Sequence, residues 1–325
     1  MKILLVGATG QIGHALAKKL GASGHETTLL VRDASKAAIP GAKVIEVRSF
    51  DTATFANALV GQDSAIYGVG LPEQFAFDTS VFARVNRDLF AVFLEALGRS
   101  NCKRLIYIST YEVFDAVNGQ IRESHAVAGT AGLTPYFAAM VEAYRLALAA
   151  RERMGLSLTT IHPAAVYGGR NTGDGFTNYL ENILRWRVWL MPAGVAGRFP
   201  LVHVDSLADA ITRTLQRHGG PGHEGAFIVS DAMTSLSDLA RQTRKLHSCW
   251  IPPTIPTVLG YASATLMEGF ARLTRMRPPL ARVQLDFITK GWEPLAERAA
   301  SVLGWTPRPL AQGLAQYLAD RGHGT

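Results

Sequence analysis

The sequence predicts an α/β fold, a doubly wound parallel sheet with a smaller C-terminal α/β lobe. Short apolar runs without polar alternation recur between segments of helical periodicity, as expected of strands buried on both faces and joined by crossover helices. The first run passes directly into a glycine-rich turn that opens a helical stretch. At 325 residues the chain is long for one hydrophobic core, so an appended lobe is expected.

Taken in order, strands are predicted at 3–8, 27–31, 43–47, 65–69 and 105–109, with a sixth at 158–162. Helices fall around 11–21, 52–60, 79–98 and 136–153, and right-handed crossovers between such strands make the sheet parallel. From about 163 the spacing loosens. Glycine-rich loops (167–175, 193–197, 219–225) alternate with a strand at 200–204 and helices near 206–217, 235–246 and 256–275. Pro252, Pro253 and Pro256 mark one loop and Pro278-Pro279 another, because proline ends helices and biases its predecessor toward extended geometry. The expected division is 1–165 for the sheet domain and 166–325 for the lobe, with some exchange of chain between them, and no internal repeat.

Hydrophobic residues make up 48% and charged residues 18%, which excludes disorder and low-complexity architectures. The excess of 33 basic over 26 acidic residues is scattered rather than gathered in a stripe, so no nucleic acid partner is expected. Cys102 and Cys249 stand far apart, without the spacing of a disulfide framework or a zinc site. No metal is expected, and a reducing, cytoplasmic location fits. The longest apolar stretches are broken by polar residues and glycine, so no membrane span is expected. A small-molecule substrate is the expected partner, and a homodimer is left open.

The turn reads Gly7-Ala8-Thr9-Gly10-Gln11-Ile12-Gly13. Between a strand and a helix, glycines let backbone amides approach a pyrophosphate at the helix N-terminus. Gly10 leaves the approach clear and Gly13 lets helix and strand pack closely. The second strand ends Leu30-Val31-Arg32-Asp33, where an acidic residue would bind a ribose diol and a basic one a 2′-phosphate. Arg32 comes first after the strand and favours NADP, while Asp33 keeps NAD open. Gly68 and Gly70, after the fourth strand, either leave room for the cofactor or serve close packing. Strand five continues into Ser109-Thr110-Tyr111-Glu112-Val113, and Tyr136 opens a helix after Pro135. A hydroxyl and a phenol are thus expected at the carboxyl end of the sheet, where parallel sheets present their ligand crevice.

At these residues the chain resembles an extended short-chain dehydrogenase/reductase of the NAD-dependent epimerase/dehydratase superfamily, along nearly its whole length. Beside the glycine turn, Val85-Asn86 resembles the family's asparagine helix, Ser109 to Val113 its active-site strand and Pro135-Tyr136 its catalytic tyrosine site. His162 to Gly168 resembles the loop covering the nicotinamide, Val202 to Ala210 the signature closing the substrate lobe, and Leu303-Gly304-Trp305-Thr306-Pro307 the C-terminal ending. The resemblance implies a Rossmann sheet with a C-terminal substrate lobe. Thr110 and Tyr136 are then the catalytic pair, Thr110 on the substrate oxygen and Tyr136 moving its proton. The cofactor would be bound by Gly7, Thr9, Gly10, Gln11, Ile12, Gly13, Arg32, Gly68, Gly70, Asn86, Tyr136, Met140, Pro163 and Val166.

The chain departs from the family pattern at telling places. Met140 stands four residues after Tyr136, where the family has a lysine that binds the nicotinamide ribose and lowers the phenol pKa. A phenol at its ordinary value of about 10 acts as an acid at neutral pH but is seldom the phenolate needed as a base. Arg48 replaces an acidic adenine contact, and His162, more often a satisfied interior residue than a base, replaces a common arginine. Glu112 occupies a dehydratase acid position without the usual aspartate before it, so it is either substrate contact or structural carboxylate. His203 and Asp205 are expected to cap the helix that follows. Phe199 stands where nucleotide-sugar enzymes often carry a diphosphate-binding arginine, with Arg198 one residue off. Trp186, Trp189, Leu190, Met191 and the apolar 254–270 segment offer a lipophilic lining or simply core, and Pro278-Pro279-Leu280 resembles the hydroxysteroid dehydrogenase and dihydroflavonol reductase branch. The leading expectation is an NADP-dependent reductase, or a reversible secondary-alcohol dehydrogenase, for an apolar small molecule. A sugar or nucleotide-sugar epimerase/dehydratase and a catalytically impaired sensor or scaffold are the alternatives.

Overall fold

The computed structural model describes residues 1–72, 75–170, 175–185, 191–193, 197–216, 224–247, 251 and 253–322. Trp186, Trp189, Leu190, Cys249, Pro252 and parts of the three glycine-rich loops lie outside them, and of Met191 only the backbone is described.

The N-terminal half runs β1 (Lys2–Val6), α1 (Gln11–Ala22), β2 (Glu26–Val31), β3 (Lys43–Glu46), α2 (Thr52–Leu59) and β4 (Ser64–Tyr67). One helical run follows, α3 (Ser80–Phe82) and α4 (Leu89–Gly98) joined by a π-helical segment at Ala83–Asp88. Then come β5 (Arg104–Ile108), the short β6 (Gln120–Ile121), α5 (Pro135–Met154) and β7 (Ser157–Pro163). Local chemistry fixes these boundaries. Asp51 caps α2 by accepting from the Thr54 N–H at 2.8 Å, and Thr134 caps α5 ahead of Pro135 at the first helical position. Gly155 ends α5 in the left-handed conformation, with φ +61°, where a side chain would be strained.

All seven strands of the main sheet are parallel, in the order β11-β7-β5-β4-β1-β2-β3, where β11 is Gly225–Val229. The doubly wound sheet is thus present. Its seventh strand was not foreseen, because Gly225-Ala226-Phe227-Ile228-Val229 follows directly on a glycine-rich stretch that reads as loop. Strand residues alternate between two cores. Ile3 and Leu5 face α1, α7 (Val204–Gln216) and α11 (Glu297–Leu303), and Leu4 and Val6 face α2, α4 and α5. Residues after 165 therefore return to this layer, with β11 at the sheet edge and α7 and α11 on one face.

The remaining chain forms β8 (Ala165–Tyr167), α6 (Gly175–Leu184), β9 (Met191–Ala193), β10 (Phe199–His203), β12 (Ala232–Thr234), α8 (Leu236–Leu246), β13 (Thr254–Pro256), α9 (Thr257–Thr274), α10 (Arg282–Thr289), β14 (Glu293–Pro294) and α12 (Leu310–Gly322). Strands β12, β10 and β8 make a small sheet, packed with α6, α8 and α12 around Tyr167, Leu180, Phe199, Leu239, Leu314 and Tyr317. The helix expected from 206 begins at Val204, directly after β10. Trp305 of the C-terminal motif is 1% exposed and donates its indole N–H to Ser206 O at 3.0 Å, tying the chain end to α7.

Candidate active site

The strand order reverses between β1 and β4, which are neighbours while their continuations run to opposite edges. A crevice opens at the carboxyl ends of strands at such a point, and the glycine turn lies there. Gly68 N–H donates to Val6 O at 3.0 Å, and Gly7 adopts φ +101° with its missing Cβ directed 2.7 Å from Gly68 O. Both glycines let the two strand ends meet. Gly13 is equally constrained, since a Cβ would lie 2.2 Å from Gly7 O. Gly10 differs, because a Cβ there would meet only Gly7 O at 3.5 Å. The protein's own packing therefore leaves the space beside Gly10 open. Gly10 caps α1 without a side-chain bond and no acidic residue stands in its first turn, so the helix end offers uncompensated N–H groups to an anion. These residues fit a dinucleotide pyrophosphate.

Thr9 and Ile12 lie half-buried in the turn. Gln11 turns its side chain away, donating to Gly168 O at 2.8 Å and Thr177 Oγ1 at 2.6 Å, so it locks the turn to the C-terminal lobe. Gly70 would bring a Cβ 3.4 Å from Asn86 Oδ1. Asn86 is 2% exposed, accepts from Leu71 N–H at 2.7 Å and donates to Leu71 O at 3.1 Å. Its amide thus holds the loop after β4. Arg32 is exposed at the end of β2, its guanidinium 5.8 Å from the Phe50 ring centroid. Asp33 accepts from Ser35 N–H at 3.1 Å and Ser35 Oγ at 2.5 Å, and pairs with Lys36 at 3.0 Å. Its carboxylate caps a short turn, and these donors hold its pKa below the usual range. Arg170, which the sequence reading passed over, donates to Lys36 O at 2.8 Å and brings a second guanidinium toward the same corner. No spacing rule connects positions so far apart in the chain.

Thr110 lies two residues past the end of β5 and is 8% exposed. His162 fixes its backbone. A carbonyl only accepts, so the 3.0 Å contact from His162 Nδ1 to Thr110 O requires the proton on Nδ1, leaving Nε2 to accept from Thr160 Oγ1 at 2.8 Å. Burial pushes the imidazole pKa down to about 4, so it is a neutral structural residue. Tyr136, in the first turn of α5, is half-buried, its ring 5.9 Å from Phe82 and 5.0 Å from Phe137. It packs in one cluster with Tyr111 and Met140, so the turn after Thr110 and the start of α5 adjoin. Met140 is 7% exposed in that cluster and brings no charge to it. Pro163 ends β7, buried, and Val166 is half-buried on β8 beside Val202.

A cation does reach this corner from the other end of the chain. Lys290 donates to Glu112 Oε1 at 3.1 Å, lies 3.9 Å from the Phe137 ring centroid and 4.9 Å from that of Trp292. Glu112 is 8% exposed, and burial pushes its pKa up to about 7 against the pull of Lys290. Lys290 lies 154 positions after Tyr136 in the sequence, beyond any local motif. His203 accepts from the Asp205 N–H at 3.2 Å, at the first turn of α7, the arrangement expected of it. Phe199 is fully buried, 5.4 Å from the Phe176 ring and 5.7 Å from Phe287. Arg198 donates to Met233 O at 2.8 Å.

Known structures share this architecture. The crystal structure of gox2253 is 22% identical and superposes with a TM-score of 0.81, covering 99% of this chain and 98% of that one. UDP-glucuronic acid 4-epimerase from Bacillus cereus, in complex with UDP-glucuronic acid and NAD, is 16% identical with a TM-score of 0.78 over 100% of both chains. UDP-glucose 4-epimerase from Thermotoga maritima, with UDP-glucose, is 18% identical with a TM-score of 0.76 over 100% of both. No curated protein sequence matches the chain at a significant level. The pattern of one family matches residues 3–229, from β1 through the seventh strand of the sheet: the chain belongs to the NAD dependent epimerase/dehydratase family.

Proposed function

We propose that the protein is an NADP-dependent epimerase or dehydratase of a nucleotide sugar, with residues 1–165, completed by the returning β11, α7 and α11, holding the dinucleotide and the rest of 166–325 supplying the substrate lobe. The observation that carries this is the family match over 3–229, on a chain whose glycine turn fits a pyrophosphate. The UDP-sugars in the neighbouring structures support this alternative more than the apolar ketone reductase that the sequence put first. Thr110 holds the oxygen of a sugar hydroxyl, and Tyr136 takes its proton and returns it. The bound cofactor supplies the acceptor and donor of hydride at the same carbon. Preference for NADP rests on Arg32, exposed where a 2′-phosphate would lie, and on Asp33, whose carboxylate is already engaged by Ser35 and Lys36.

One observation favours the second reading. Phe199, at the expected arginine position, is sealed between Phe176 and Phe287, so no guanidinium awaits a diphosphate there. The two readings part in one experiment, in which purified protein with NADP or NAD is given UDP-hexoses and, separately, apolar ketones with NADPH. Interconversion or dehydration of a UDP-hexose, abolished in Tyr136→Phe, supports the proposal. Turnover of ketones alone moves the assignment to the reductase, and tight cofactor binding without turnover of either moves it to a sensor or scaffold.

A further inference from the structure

Helix α9 is built inside out. The residues it turns inward are Gly260, Ala264, Glu268 and Ala271, with Glu268 held by Arg282 at 3.0 Å. Leu259, Leu266, Phe270 and Leu273 recur at helical spacing on the opposite side and are 54%, 76%, 63% and 83% exposed. A helix packed for water places its large apolar residues on the core face. Here that face is solvent-directed along four turns, and large apolar side chains aligned in one exposed stripe mark an interaction site.

Charge selects the occupant. Between residues 248 and 285 the only acidic residue is Glu268, already paired with Arg282, and the next, Asp286, accepts from Tyr261 Oη at 2.7 Å, whereas Arg272, Arg275 and Arg277 follow one another in and just beyond the last turn of the helix. The Arg275 guanidinium lies 5.8 Å from the centroid of Phe77, itself 41% exposed, so the apolar surface continues past the helix end. A second copy of the same face would oppose these cations with like charge. An anionic bilayer offers acyl chains to the leucines and phenylalanine and phosphates to the arginines. No helix among the described residues is long and apolar enough to cross a membrane, so such a helix lies in the interface plane. We propose that α9 docks the protein peripherally on an anionic phospholipid surface.

The test is flotation of the full-length protein with phosphatidylcholine vesicles, with and without one quarter phosphatidylglycerol. The protein is expected to float with the anionic vesicles and to bind at least about tenfold less to pure phosphatidylcholine or in about 0.5 M salt. Leu266→Glu/Phe270→Glu should lose binding at least about tenfold at an unchanged melting temperature, since both side chains are exposed. Arg272→Glu should weaken binding to anionic vesicles without altering oligomeric state. Absence of wild-type binding to anionic vesicles overturns the proposal whatever the variants do. So does a wild-type dimer that Phe270→Glu converts to monomer in the absence of vesicle binding, which assigns the face to a second copy.

Discussion

At the scale of single residues, the arrangement turns on two side chains. Met140 occupies a buried position one helical turn from Tyr136. Met140→Lys should raise the rate of substrate oxidation at neutral pH, because a nearby ammonium stabilises the phenolate. Burial of the ammonium in the Tyr111 and Tyr144 cluster should cost several kcal/mol of stability. Rates measured from pH 6 to 10 check this, and a wild-type profile already flat through pH 7 would show that another group acts as the base. The proposed preference for NADP places cofactor choice on Arg32. Arg32→Glu should weaken NADPH binding by about 1.5–3 kcal/mol, or roughly tenfold to a hundredfold, while leaving NADH nearly unaffected. Titration of both nucleotides decides it, and equal losses would remove Arg32 from the 2′-phosphate.

At the scale of elements, the β1–α1 turn separates packing from binding. Gly13→Ala drives a Cβ against Gly7 O, a backbone atom that cannot step aside, and should destabilise the fold by roughly 1–3 kcal/mol or more. Gly10→Ala meets only an ordinary contact, so it should leave the melting temperature within about 2 °C while dinucleotide affinity falls at least tenfold. Loss of stability in both variants, with binding unchanged, would reduce the turn to a packing device. The turn was legible because strand, glycine spacing and helix pattern agree locally. Strands β1, β4 and β5 were legible for a related reason, their apolar residues being buried on both faces, whereas β3 was legible only as a short apolar run at the exposed sheet edge. Asn86 was placed correctly on its helix, but its bond to Leu71 reaches back to the loop after β4 from a π-helical segment, which propensity does not encode. Glu112, left open between substrate contact and structural carboxylate, proved to be ion-paired with Lys290, and Arg170, just beyond β8, reaches the carbonyl of Lys36 after β2. Contacts between residues more than a hundred positions apart are set by topology, and no periodicity reports them.

At the scale of the whole molecule, the Glu112–Lys290 pair ties the segment after α10 to the turn beyond β5 and leaves a pH signature. Glu112 titrates near 7 when folded, above its unfolded value. The native state therefore holds the extra proton between about 4.5 and 7, and this group costs stability as pH rises through that window. His162, with its folded pKa lowered to about 4, acts in the opposite sense and loses stability as pH falls below about 6.5. The two slopes largely offset each other. Glu112→Gln should remove the first alone, so the variant should gain on wild type by about 3 kcal/mol from pH 4.5 to 7 in denaturant titrations. A difference independent of pH would mean that Glu112 stays ionised throughout. The seventh strand has a consequence for synthesis. Strand β11 begins at Gly225 and β7, its one sheet neighbour among the described residues, ends at Pro163, so a nascent chain carries the open edge of β7 for more than sixty residues, roughly 3–12 s of translation. During that interval the unpaired edge is a template for any other strand, and a ribosome stalled between the two would present a sticky intermediate to the chaperones of the cell.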